Sequence, residues 1–98
     1  MNQYIVEFEL HNSFTEQFMS LIPEQRTKVS ELMRSGRLLN YALSADRTKL
    51  WAFFVASSES EVMELISTFP LIHYMTPVVR ELMFHENVMM QFPVMSLN

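Results

Sequence analysis

The residues able to move a proton in this chain are carboxylates, histidines and tyrosines, because the sequence contains no cysteine. Glu7 lies on the polar side of a predicted strand. An enclosed cavity on that side would raise its pKa by desolvation and make it a usable base. The alternative is an exposed strand carboxylate beside Glu9. His85 lies at the end of a predicted fourth strand, where it is either a proton shuttle near neutral pH or a satisfied surface histidine. Glu7 and His85 are therefore the candidate catalytic residues.

Four further side chains are candidates for substrate binding. Asn40 has an amide that could donate to a substrate carbonyl or satisfy a backbone group of a hairpin. Arg80 either clamps a carboxylate or pairs with a glutamate across a dimer. His73 and Tyr74 precede the fourth strand, and Tyr74 is either a donor that polarises a carbonyl or an aromatic plug whose hydroxyl bonds the backbone.

Several classes of chemistry have no basis in this sequence. A single glycine, Gly36, excludes a glycine-rich phosphate cradle, which needs several glycines in one loop. The three histidines, His11, His73 and His85, lack metal-ligand spacing, and no G-x-S-x-G element is present. Trp51 and its aromatic neighbours are typical of a core. We therefore expect no cofactor and no metal.

The distribution of charge argues against a nucleic-acid partner. The net charge is −4, whereas nucleic-acid binding relies on a basic footprint. Six of the seven basic residues nevertheless lie between Arg26 and Lys49. This stretch is either a solvated helix face with a polar turn, or a patch for an anionic ligand or an acidic neighbouring subunit.

The longest charge-free run, residues 65–79, is too short for a membrane span and contains two prolines. Without an export signal, we expect a cytoplasmic protein and no membrane partner.

The first half of the chain shows a strand followed by an interrupted helix. Residues 3–10 alternate apolar and polar side chains with period two, which predicts a strand. Ser13 and Glu16 have the spacing of a capping box, so a helix is expected from Phe14. Pro23 either kinks this helix or lies in the first turn of a second one. Gly36 should end the helical stretch in a left-handed cap.

The second half repeats the pattern with an added hairpin. Residues 38–45 and 50–56 are predicted strands joined by a polar turn. Ser58 and Glu61 form a second capping box before an amphipathic helix that Pro70 ends. Residues 78–86 are predicted to form the fourth strand, and the tail, residues 87–98, carries no charge.

This βαββαβ order predicts one α+β, ferredoxin-like domain over residues 1–98, with a core at 1–86. A four-stranded antiparallel sheet would carry two helices on one face. The strand at 50–56 is apolar on both sides, and a bare apolar sheet face is costly in water. We therefore expect a homodimer, or a higher oligomer, in which a second copy covers this face and the apolar tail packs on the partner.

Between the helix end Arg34–Gly36 and the element Phe69–Met75, the sequence resembles the muconolactone Δ-isomerase family. The family pattern has the same glycine, the same distance to an L-P-L-x-x-Y-M element, and a late histidine at the position of His85. The similarity covers roughly residues 15–86. The stretch Leu38–Ala42 lacks the Trp, Arg and His of the family pattern, and Glu7 stands where the family has a basic residue.

The resemblance implies a dimeric α+β barrel and a cofactor-independent isomerase. Such an enzyme would act on a small unsaturated lactone or acid in aromatic-compound breakdown, by general acid/base proton transfer. The alternative is a non-catalytic or differently catalytic barrel, YciI-like or monooxygenase-like, that binds a hydrophobic small molecule or serves as an assembly module.

Overall fold

The protein was analysed as a computed structural model, which describes residues 1–87. The elements in chain order are β1 (Asn2–Leu10), α1 (Glu16–Ser20), α2 (Ile22–Arg34), β2 (Leu38–Leu43), β3 (Lys49–Ala56), α3 (Glu59–Ser67), a short 3₁₀ helix (Ile72–Tyr74) and β4 (Met75–Glu81). The strands form one antiparallel sheet in the order β2-β3-β1-β4. The predicted α+β, ferredoxin-like class is confirmed.

The alternation along β1 separates the two faces of the sheet. Val6 and Phe8 are completely buried and pack against the helices, as do Ala52 and Phe54 of β3. The side chains between them point to the other face, which we call the open face. It carries Ile5 and Glu7 of β1, Trp51, Phe53 and Val55 of β3, and Val78 and Arg80 of β4. Its β3 residues are half-buried, and Val78 is 48% exposed.

The helices begin and end at residues that cap them. The hydroxyl of Thr15, not Ser13, accepts a hydrogen bond from the Phe18 N–H, so α1 begins at Glu16 and the expected capping box at Ser13 is wrong. The sequence offers two hydroxyl residues here, and Thr15, with the extended backbone of a cap, is the one that caps the helix. Pro23 lies in the first turn of α2, so it stands at the start of a second helix and does not kink a single one. Gly36 has φ +80°, as expected of a left-handed cap.

The second predicted cap and the hairpin turn are present. The Ser58 hydroxyl accepts from the Glu61 N–H, while the Glu61 carboxylate accepts from the N–H of Ser57 rather than that of Ser58. In the turn between β2 and β3, Asp46 Oδ1 accepts from the Thr48 N–H and hydroxyl. These bonds hold the turn with Arg47 at φ +64°.

The fourth strand differs from its expected bounds. It runs over Met75–Glu81 rather than 78–86. In the sequence, Pro77 favoured a loop before the strand. However, β4 is an edge strand, where a missing N–H is tolerated, and Pro77 is paired with Phe8 of β1. One more bond, from the Leu82 N–H to the Gln3 carbonyl, follows the strand.

The tail expected at 87–98 lies outside the described residues beyond Asn87. No helix within residues 1–87 has the length and apolar character needed to cross a membrane.

Candidate functional site

A cavity of about 650 Å³ opens between the helices and the helix-facing side of the sheet. The elements around it are α1, α2, the ends of β1 and β2, the start of β3 and the start of β4. Its apolar lining consists of Leu10, Phe18, Met19, Ile22, Val29, Leu43, Leu50, Leu71 and Met75. Its polar lining consists of Ser13, Gln25, Arg26, Ser30, Tyr41 and Arg47. An apolar pocket with a few polar groups is the usual form of a small-molecule site.

Burial separates the inner end of the cavity from its rim. Gln25, Leu50 and Leu71 are buried and form the inner end. At the rim, Met19 is 46% exposed and Leu43 is 53% exposed. The exposed Arg26 and Arg47 also lie at the rim, so the entrance is part apolar and part basic, and buried Gln25 lies deeper.

Gln25 is a buried polar side chain, 4% exposed, and its amide orientation is fixed by its partners. The Leu71 N–H can only donate, and it donates to Gln25 Oε1 at 3.1 Å. Gln25 Nε2 consequently donates to the Tyr41 hydroxyl oxygen, also at 3.1 Å. Because Tyr41 is the acceptor in this bond, its own O–H proton is left to donate elsewhere. Burial raises the pKa of Tyr41 above its usual value, so the phenol remains protonated and a donor.

Two arginines bring positive charge to the same cavity from separate elements. Arg26 is on α2, and Arg47 is on the β2–β3 turn, where its guanidinium lies 5.6 Å from the centroid of the exposed Phe14 ring. Within residues 1–87, neither arginine is among the salt bridges, which join Lys28–Glu31, Arg37–Glu61 and Lys49–Glu7. The basic stretch noted in the sequence therefore supplies two of the residues that line this cavity, and both are exposed.

Glu7, the predicted base, lies on the open face, away from this cavity. Its Oε1 accepts from Trp51 Nε1–H at 3.1 Å, and its Oε2 from Lys49 Nζ at 3.3 Å. The bond from Trp51, and then those with Lys49, hold the pKa of Glu7 below its ordinary value. In the single chain the side chain is about half exposed, so the desolvation that would make Glu7 a base is weak. Its catalytic role stays a prediction.

His85, Arg80 and Asn40 lie on the same open face as Glu7. The His85 ring stacks on Phe53 with centroids 4.3 Å apart, and its Nδ1 lies 3.1 Å from Gln3 Oε1. Arg80 is exposed and opposite Ile5 in the register. Asn40 is opposite Phe53, and its Oδ1 is buried without a hydrogen-bond partner among the described residues. Four of the six predicted site residues thus share one face, as far as residues 1–87 show.

The remaining two predicted residues lie near the 3₁₀ helix. Tyr74 is half-buried on the helix side, and its ring meets the Phe18 ring edge-on with centroids 5.3 Å apart. This contact matches the packing part of the aromatic-plug alternative, while the expected bond from the Tyr74 hydroxyl to the backbone is not among the hydrogen bonds of residues 1–87. His73 is exposed. Neither residue lines the 650 Å³ cavity, although Phe18 does.

The inner polar pair of the cavity, Gln25 and Tyr41, was not predicted from the sequence. A signal for Gln25 was present, because Ile22, Gln25, Val29 and Leu32 follow each other at helical spacing. A polar residue on this otherwise apolar stripe needs a buried partner. Tyr41 carried no such signal, because the register of β2 shifts between Leu38 and Asn40 and reverses the simple alternation.

Comparison with known proteins places this chain in a family. No curated protein sequence matches the chain. Among solved structures, a crystal structure of muconolactone isomerase matches with a TM-score of 0.70 and 17% sequence identity, over 85% of this chain and 90% of that one. At this identity the likeness shows a shared fold. The family model described as muconolactone delta-isomerase matches residues 3–88, which is most of the chain. The chain therefore belongs to the muconolactone delta-isomerase family.

Proposed function

We propose that the protein binds a small unsaturated lactone or carboxylic acid in the 650 Å³ cavity and isomerises it without a cofactor. The observation that carries this proposal is the fixed hydrogen-bond direction at the inner end. Gln25 donates to the Tyr41 oxygen, so the Tyr41 proton is available to a ligand carbonyl. Membership of the isomerase family supports the choice of substrate class.

The proposed chemistry begins with polarisation of the carbonyl by Tyr41. A hydrogen bond to the carbonyl oxygen stabilises the negative charge that develops there when a neighbouring C–H bond breaks. The double bond then shifts, and a proton returns at the other end of the enolate, so that the reaction is balanced without an oxidant. Arg26 and Arg47 at the rim attract an acidic group of the ligand.

The cavity lining gives least support to one step, the acceptance of the proton by a base. No carboxylate or imidazole from residues 1–87 lines the cavity. Glu7 and His85 are on the other face of the sheet. In this cavity the acceptor would be water admitted at the mouth, which is a weak base and gives slow turnover. The same observation favours a second candidate function, which is binding of a hydrophobic small molecule without isomerisation.

An exchange experiment in D₂O separates these functions. The protein is incubated with an unsaturated γ-lactone that carries an acetic acid side chain. Proton NMR follows deuterium uptake and isomer formation, and calorimetry measures binding. We expect uptake with the parent protein, and a loss of at least tenfold in Y41F. The matched control, Y4F, makes the same change to a buried tyrosine of β1 that does not line the cavity.

The outcomes have distinct meanings. Binding without deuterium uptake would support the second function, and absence of binding would overturn both. Equal uptake by Y41F and the parent protein would contradict the role of Tyr41. In the same assay, E7Q and H85N test the two catalytic residues predicted from sequence. A loss of uptake in either would place the chemistry on the open face.

We also propose that a second copy of the chain covers the open face. The support is apolar surface that the single chain leaves uncovered, including Val78 at 48% exposure beside half-buried Trp51 and Phe53. Light scattering after size exclusion should give a dimer or larger assembly, and V78E should shift it to the monomer. The control M63E places the same charge on α3, where Met63 is 44% exposed. A parent protein that is monomeric at micromolar concentration would refute the proposal.

A further inference from the structure

We infer that the ligand of the 650 Å³ cavity carries a long apolar tail in addition to the lactone or acid group. This inference rests on the proposed function, because it assumes that the polar head binds at Tyr41. It goes further by naming the part of the ligand that fills the rest of the cavity.

The first reason is size. With about 30 Å³ for each water in the liquid, a volume of 650 Å³ holds roughly twenty water-sized groups. Pockets of this volume normally enclose ligands of the size of a drug molecule. A single lactone ring with a short acid chain would leave much of the space to water, against a lining that offers it few hydrogen bonds.

The second reason is the distribution of polar and apolar groups. Gln25 and Tyr41 provide hydrogen bonds at one place, whereas nine of the fifteen lining residues are apolar. A ligand that fits this lining has a polar head for Tyr41 and the two arginines, and an extended apolar part for the nine apolar residues. Met19 and Met75, one at the rim and one buried, have unbranched side chains that adapt to a flexible partner.

The third reason is the exposure of apolar side chains at the mouth. Met19 and Leu43 are about half exposed where the cavity opens, and Phe14 beside Arg47 is 71% exposed. Met19 and Leu43 both line the cavity, so the apolar surface at its mouth is continuous with its interior. An aliphatic tail that runs from Tyr41 outward would cover Met19 and Leu43 and remove them from water, which is favourable.

A ligand series tests the inference directly. The probes are unsaturated γ-lactones with straight alkyl substituents from methyl to octyl, and calorimetry measures their dissociation constants. Each methylene that enters the cavity should tighten binding by about three- to fourfold, until the cavity is filled. A total gain of less than threefold from methyl to hexyl would overturn the inference.

Two matched variants distinguish the cavity from general apolar adsorption. M19W places a larger ring at the rim, and M63W makes the same change on α3 at a methionine of similar exposure. We expect M19W to weaken binding of the octyl probe at least tenfold more than binding of the methyl probe, while M63W changes neither.

Equal binding of the octyl probe by M19W and M63W would overturn the inference. If short and long probes bind equally well and Y41F weakens both, the proposed site stands and the tail does not. If no probe binds, the proposed function fails as well.

Discussion

Replacing Gln25 by leucine removes both hydrogen bonds that join α2 to β2 and to the segment before the 3₁₀ helix. The Leu71 N–H loses its acceptor in a buried position, which costs about 1–3 kcal/mol. The bond to Tyr41 contributes about 0.5–1.5 kcal/mol more. Burial of an apolar side chain of similar length offsets roughly 1 kcal/mol. We therefore expect Q25L to lower the free energy of unfolding by about 2 kcal/mol.

Urea unfolding at fixed protein concentration measures this change, because an assembly makes stability depend on concentration. A loss of about 2 kcal/mol moves the midpoint by about 1 M for a small domain. Q17L is the matched control, since Gln17 is an exposed residue of α1. Its free energy of unfolding should stay within about 0.5 kcal/mol of the parent's. If Q25L and Q17L are equally stable, the bonds that fix the direction of the Tyr41 proton are not made, and the reasoning for the site is refuted.

Three further predictions concern the fold. T15A should cost about 1 kcal/mol of stability through loss of the α1 cap, while S13A should cost little, and urea midpoints compare them. G36A should lose about 1 kcal/mol in the same measurement from backbone strain alone, because φ is +80° and a Cβ would meet nothing within 4 Å. Hydrogen bonds from the Ser57 N–H and hydroxyl lower the pKa of Glu61, so its contribution to stability is present above the unfolded-state pKa and is lost as pH falls through the folded-state value. E61Q should therefore show a smaller fall in stability between pH 5 and pH 3 than the parent, and an equal fall would contradict this account.

The sequence predicted the elements well because their signals are local. The alternation in β1, the hydroxyl at Ser58 and the glycine at position 36 each act within a few residues. The start of β4 was missed because Pro77 is acceptable only at a sheet edge, and strand order is a property of the whole fold.

The cavity was harder to predict than the elements. Gln25 meets Tyr41 and Leu71 only after α2, β2 and the 3₁₀ segment come together, so no spacing along the chain encodes the pair. The residues that sequence reasoning selected, such as Glu7 and Arg80, were chosen for charge on strands. A search for charged residues on strands finds the polar residues of the open face. It overlooks Gln25, whose neutral amide lies on the buried side of α2.

The position of β1 in the sheet has a consequence for the order of folding. Strand β1 is synthesised before the other three strands, yet it is a central strand of the sheet. Its partners lie half a chain away on β3 and most of a chain away on β4. The β2–β3 hairpin needs only a short loop to close, whereas β1 must wait for long loops with a larger entropy cost. On the ribosome, β1 would therefore stay unpaired until β3 has emerged, and its other edge would stay unpaired until β4 has emerged. During that time its apolar side chains would be exposed to chaperones and to aggregation.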